Sequence, residues 1–266
     1  MPTATLHRPQ KWSPVRRGLV DPKWRWAWDN MIVAILFDEG AGVSRELITR
    51  SQAILPDGWQ MSPAGIGGQV DDANGRISFG GDTRWDATRN QFTLLAVWED
   101  WGQVGSVGYP ALIANTKDDN TAINYFLGTW VLTNEVYVVW YNAGYRDLLS
   151  GLNCTVNDVN VAIASVPVTG NIIFWVNGQI AEVARHASAI VTNADNKLTV
   201  GGPNVALSRS RAGIYNLAVA WDKYMPLAQI RALGADPFAP FQMIRPALGK
   251  APAAVGGVAV RGWAQK

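Results

Sequence analysis

Apolar positions in this chain come mostly as short runs broken by Gly, Pro, Asn and Asp, and such runs predict β-strands. The clearest stretch runs from Ile172 to Leu233. Ile172-Ile173-Phe174-Trp175-Val176 leads to Asn177-Gly178, and the chain returns through Gln179-Ile180-Ala181-Glu182-Val183. Asn-Gly between two such runs predicts a hairpin, because a type I′ turn needs φ > 0 at both central residues. A second strand pair is predicted at Ile190-Val191-Thr192 and Lys197-Leu198-Thr199-Val200, ended by Gly201-Gly202-Pro203. Ile214 to Trp221 alternates, which predicts Tyr215, Leu217, Val219 and Trp221 on one face. Pro226 to Leu233 predicts about two helical turns, with Pro at the start, Gly234 past the end and Asp236-Pro237 as the stop.

Upstream, strands are predicted at Met31–Phe37, Phe92–Trp98, Ala111–Ala114, Tyr125–Leu132, Val136–Tyr141 and Val159–Val168. Val136–Tyr141 is close to continuously apolar, which predicts a central strand buried on both faces. Trp24, Trp26 and Trp28 recur at the spacing of one face of a strand. That segment is either a first strand on its own domain or an anchor for another subunit. No fixed-period repeat is present, which argues against solenoids and propellers.

Several short motifs carry a family resemblance. F-x-V-N-G at 174–178, L-T-V-G-G at 198–202, G-I-Y-N-L-A-V-A-W at 213–221 and L-A-Q-I-R-A-L at 227–233 come in the order found in the C-terminal half of a concanavalin A-like (laminin-G-like) jelly-roll domain. Leu36–Gly42, Gly75–Gly80 and Phe92–Trp98 resemble the N-terminal half of such modules, so the resemblance spans Ile32 to Phe238. It implies an all-β, two-sheet antiparallel jelly-roll sandwich with one short C-terminal helix. It fixes no function, because this fold serves lectins, enzymes, adhesion modules and virion parts.

Composition adds an asymmetry. The chain has 266 residues, which fits one large sandwich domain. Residues 1–30 hold six basic and two acidic side chains, residues 245–266 hold four basic and none acidic, and the body 31–244 holds 13 basic and 19 acidic. Two basic arms therefore flank an acidic globule. The N-terminal arm interleaves Trp12, Trp24 and Trp26 with Arg16, Arg17 and Arg25; the C-terminal arm is rich in Gly and Ala, and Trp263 is its large anchor. Such arms suit partner binding. Single-stranded nucleic acid is disfavoured by the acidic body. No long apolar run predicts a membrane span, and residues 1–30 lack the apolar core of a signal peptide.

Chemistry is sparse. Cys154 is the single cysteine, so an internal disulfide is excluded, and a small core residue is predicted there. None of Glu39, Glu46, Glu99, Glu135 and Glu182 has an Asp two residues on, so the E-x-D-x-x-E strand of laminarinase-type hydrolases is missing. Glu99 and Asp100 are adjacent and point apart on a regular strand. With two His and one Cys, a four-ligand Cys/His zinc site is excluded. No cofactor is expected. Residues 71–75 read as a turn, with a weak calcium site as the minor reading. Stacking on a pyranose has loop-placed candidates in Trp85, Trp101, Tyr109 and Tyr145, with Asp100, Asp118 and Asn142 near them in sequence.

The sequence therefore predicts a non-enzymatic structural protein of a virus particle, a phage head decoration (cement) protein or a tail or fibre component. It would be made in the host cytoplasm, would bind neighbouring virion subunits or itself, and by analogy would form a trimer. The alternative is a lectin-like module for a cell-surface glycan. A glycoside hydrolase ranks third.

Overall fold

The computed structural model describes residues 21–37, 46–52, 59–61, 68–70, 76–104, 110–117, 122–130, 132–140, 147–202 and 210–242. In chain order their elements are α1 (Arg25–Trp28), β1 (Met31–Leu36), β2 (Trp59–Met61), β3 (Gly68–Val70), β4 (Ile77–Ser78), β5 (Phe92–Val104), β6 (Ala111–Thr116), β7 (Ile123–Thr129), β8 (Glu135–Val139), β9 (Leu148–Asn153), β10 (Val159–Val166), β11 (Asn171–Val176), β12 (Gln179–Ala184), β13 (Lys197–Val200), β14 (Ser210–Trp221) and α2 (Leu227–Ala235). They build the expected all-β, two-sheet antiparallel sandwich with one short C-terminal helix. One sheet has eight strands in the order β12-β11-β10-β5-β14-β3-β2, with β1 also paired to β14. The other has six, in the order β4-β13-β6-β7-β8-β9. The arm residues Trp12, Arg16, Arg17 and Trp263 lie outside the described residues.

Alternation along each strand divides the apolar side chains between two layers. Phe92, Leu94, Ala96 and Trp98 of β5 meet Leu112, Tyr125, Leu127, Val136 and Val138 of the six-stranded sheet in the inner core. Leu95 and Val97 of β5 point the other way, into an outer cluster with Ile230 and Leu233 of α2. The hairpin at Asn177-Gly178 forms as predicted, with φ of 50° and 90°. Cys154 is buried, as expected.

Three local expectations are corrected. Tyr215, Leu217, Val219 and Trp221 do not share a face. Asn216 is an extra residue between the pairs Tyr215–Trp98 and Leu217–Val97, and this bulge shifts the phase of β14. Tyr215 joins the inner core, whereas the other three join the outer cluster. Ile190–Thr192 is not a strand. Side chains take its backbone groups instead: Ile190 N donates to Asn90 Oδ1 and Val191 O accepts from Asn124 Nδ2, both at 2.9 Å.

Trp24, Trp26 and Trp28 lie on helical turns, not on a strand. Pro22 opens a 3-10 turn capped by the Asp21 side chain, and α1 follows directly. Trp24 is buried in the outer cluster, and Arg25 is exposed. Trp28 Nε1 donates to Pro240 O at 2.8 Å, and Trp221 Nε1 donates to Ala27 O. Residues 21–30 thus close over the outer face of their own eight-stranded sheet.

Candidate functional site

One end of the sandwich is built where β5, β10 and β14 run out. Glu99 pairs with Val159 of β10 and Ile214 of β14. Asp100 pairs with Gly213, and Gly102 with Ala212, so Trp101 is an extra residue between those two pairs. A bulge of this kind re-aims the side chain it carries. Gly102 supplies the φ of 95° that follows it. Gly213 has no room for a side chain, since a Cβ there would fall 2.1 Å from the Glu99 carbonyl oxygen. The outcome is a tryptophan that is 37% exposed, and its Nε1 donates to Glu99 Oε1 at 3.1 Å.

The residue before Trp101 belongs to a buried ion pair. Asp100 and Arg211 have no exposed surface. Arg211 Nε donates to Asp100 Oδ1 at 2.8 Å, Nη2 donates to Oδ2, and Nη1 donates to Asn134 Oδ1 at 2.8 Å. Gly102 N donates to Asp100 Oδ1 at 2.9 Å. Every guanidinium nitrogen has an acceptor, which buried ion pairs require to offset their desolvation. Asn134 adopts φ of 57°, and its carbonyl accepts from Cys154 N at 2.9 Å. Burial pushes the Cys154 thiol up to about 12, so it is no nucleophile.

The strap 155–158 lies alongside. Asn157 N donates to Asp100 O at 2.6 Å, and Asp100 N donates to Asp158 O at 2.9 Å. Asn160, itself buried, accepts from Thr155 N and donates to Thr155 O, both at 2.8 Å. Asn177 Nδ2 donates to Asn160 Oδ1 at 2.7 Å, which ties the strap to the Asn-Gly hairpin. Exposed apolar side chains collect at this end: Trp101, Val156 at 37% and Leu132 at 82%. Chemically this is a hydrogen-bonded frame carrying one part-exposed indole, with the Glu99 carboxylate on its N–H and the exposed Asp158 carboxylate on the adjoining strap.

The other sequence-predicted residues fall elsewhere. Trp85 ends the 3-10 turn Thr83–Trp85 and is 1% exposed in the inner core, so no ligand can stack on it. Asp100 is consumed by Arg211 and faces no solvent. Tyr109, Tyr145, Asp118, Asn142 and the 71–75 loop lie outside the described residues. Among the described residues no group of three His, Cys, Asp or Glu could hold a metal ion.

Next to Trp85 is a second buried carboxylate. Asp86 Oδ1 accepts from Asn115 Nδ2 at 2.7 Å, and burial pushes this carboxyl up to about 6. Asn115 pairs with Tyr125, whose ring lies 6.0 Å from that of Phe92, so this cluster sits at the opposite end of β5 from Asp100. Arg211, Asn134 and Asn160 escaped the sequence reading. They sit in unrelated segments, and no spacing links them.

No family model matches the chain, and no curated protein matches it. Solved structures do. The sialidase of Trypanosoma rangeli, in complex with sialic acid, superposes with a TM-score of 0.56 at 15% identity, over 77% of this chain and 33% of that one. Domain 4 of AbnA, a GH43 extracellular arabinanase of Geobacillus stearothermophilus, in complex with arabinotriose, gives 0.55 at 11% identity, over 77% and 98%. The binding domain of Paraclostridial Mosquitocidal Protein 1 gives 0.56 at 10% identity, over 77% and 52%.

At these identities the likeness is one of fold, and the chain spans about a third of the sialidase's length. Two expectations change. The chain was expected not to be an enzyme; that is overturned, because sandwiches of this shape are part of sialidases, one of them a mutant displaying trans-sialidase activity. The virion setting and the trimer gain no support from these neighbours, which are glycosidase-associated and binding domains.

Proposed function

We propose that this chain is a carbohydrate-binding sandwich that takes a glycan on the exposed face of Trp101. The observation that carries this reading is the bulged indole itself. Among the described residues it is the sequence-predicted stacking candidate that the fold leaves open, and its N–H is held by Glu99. Aromatic side chains lose little conformational entropy on binding, and one already pinned loses less. The neighbouring Asp100–Arg211 ion pair keeps the frame from yielding. A domain of the same fold solved with arabinotriose supports the reading.

The test is a titration of the full chain with soluble oligosaccharides, with polysaccharide affinity electrophoresis beside it. Trp101→Ala should weaken binding about ten-fold or more, as loss of a central aromatic does. Trp101→Phe should keep part of it. No binding at millimolar sugar, or equal binding by Trp101→Ala, would sink the proposal.

A further inference from the structure

We infer that the glycan taken at Trp101 is a neutral one, bearing hydroxyl groups and no carboxylate, sulfate or phosphate; this rests on the glycan-binding reading above. Charge at the rim decides it. The described segments that build this end are 99–102, 132–136, 153–160 and 211–215. They carry the carboxylates Glu99, Asp100, Glu135 and Asp158 and one cation, Arg211. Arg211 has no exposed surface, and all three of its nitrogens are engaged by Asp100 and Asn134. Its charge is thus cancelled within the frame.

Among the described residues, what lies about the indole is acidic. Glu99 accepts the indole N–H, and Asp158 is exposed beside Val159, the strand partner of Glu99. An anionic sugar lying on the indole would approach the Glu99 carboxylate that holds its N–H and the Asp158 carboxylate on the adjoining strap, and like charges closer than the screening length of about 8–10 Å at ordinary salt repel. It would meet repulsion from each and find no cation in these segments to offset it. The hydroxyls of a neutral sugar, by contrast, donate to carboxylate oxygens in charge-assisted hydrogen bonds. The described part of the rim is therefore built of acceptors, and its complement is a polyol.

The experiment uses the full chain and matched probes: lactose against 3′-sialyllactose, and xylotriose and arabinotriose against trigalacturonate, by isothermal titration. The expected result is that the neutral probes bind about ten-fold or more tightly than the acidic ones, and that about 0.5 M salt narrows the gap. Glu99→Gln keeps an acceptor for the indole but removes the charge. It should raise affinity for 3′-sialyllactose about three-fold or more, a readout that loss of packing alone would not give. Tighter binding of an acidic probe, abolished by Trp101→Ala, would overturn the neutral class while leaving glycan binding in place. Absence of binding by every probe would overturn both.

Discussion

Two buried carboxylates, Asp100 on β5 and Asp86 ahead of it, are treated in opposite ways. Asp100 has a guanidinium, a second acceptor for that guanidinium in Asn134, and a backbone donor in Gly102. Asp86 has an amide donor from Asn115, while Asn115 Oδ1 and the Tyr125 hydroxyl carry no hydrogen bond. The first arrangement makes a rigid base for an exposed ring. The second leaves an acid that resists ionisation, with its carboxyl pushed up to about 6 by burial. Satisfaction of buried polar groups, rather than their number, separates the frame of a site from a weak spot in a core.

Four substitutions probe this contrast. The largest effect is expected from Arg211→Leu, which strands the Asp100 charge in the interior. It should cost about 3–5 kcal/mol, read by urea denaturation. A loss below about 1 kcal/mol would mean that Asp100 is not confined as described.

Asp86→Asn should act with the opposite sign. An acid whose folded pKa exceeds its unfolded value favours folding only while protonated. Stability is then greatest below about pH 4, falls as pH rises toward about 6, and stays low above it. Replacing the acid by a neutral isostere should therefore stabilise the chain by about 1–3 kcal/mol at pH 7.5, with no gain at pH 3.5. A pH-independent difference would break the comparison.

Asn134→Gly keeps access to the positive φ but removes the acceptor of Arg211 Nη1. About 1–2 kcal/mol should be lost in thermal or urea unfolding. Smallest of all, Trp101→Ala should cost about 1 kcal/mol or less, as expected of a part-covered ring on a frame fixed by others. A large loss would place the indole among the structural residues and away from binding.

Much of the architecture was legible in the sequence because period-two patterning and turn chemistry act locally. The Asn177-Gly178 hairpin, the strand from Phe92 and the helix after Pro226 all formed where residue order placed them. Bulges were not legible. Asn216 and Trp101 each add one residue to a ladder, and only the partner strand reveals the surplus. The first set of Trp residues misled because i, i+2 spacing is also met on short helical turns, and Pro22 favoured the turn. Of the site, Trp101 was visible as an aromatic in a loop-like context, while Trp85 met the same criterion and is buried. Arg211 had no local signature, since its partner Asp100 lies 111 residues away.

Gly213 gives the site an evolutionary grain. A methyl group there would collide with the backbone just ahead of Trp101, so both strands would have to part. The ring above it faces no such restriction and can be swapped for another aromatic without disturbing its support. Variation in what is recognised is thereby channelled into the surface layer, and a hydrogen atom on the neighbouring strand holds the scaffold constant.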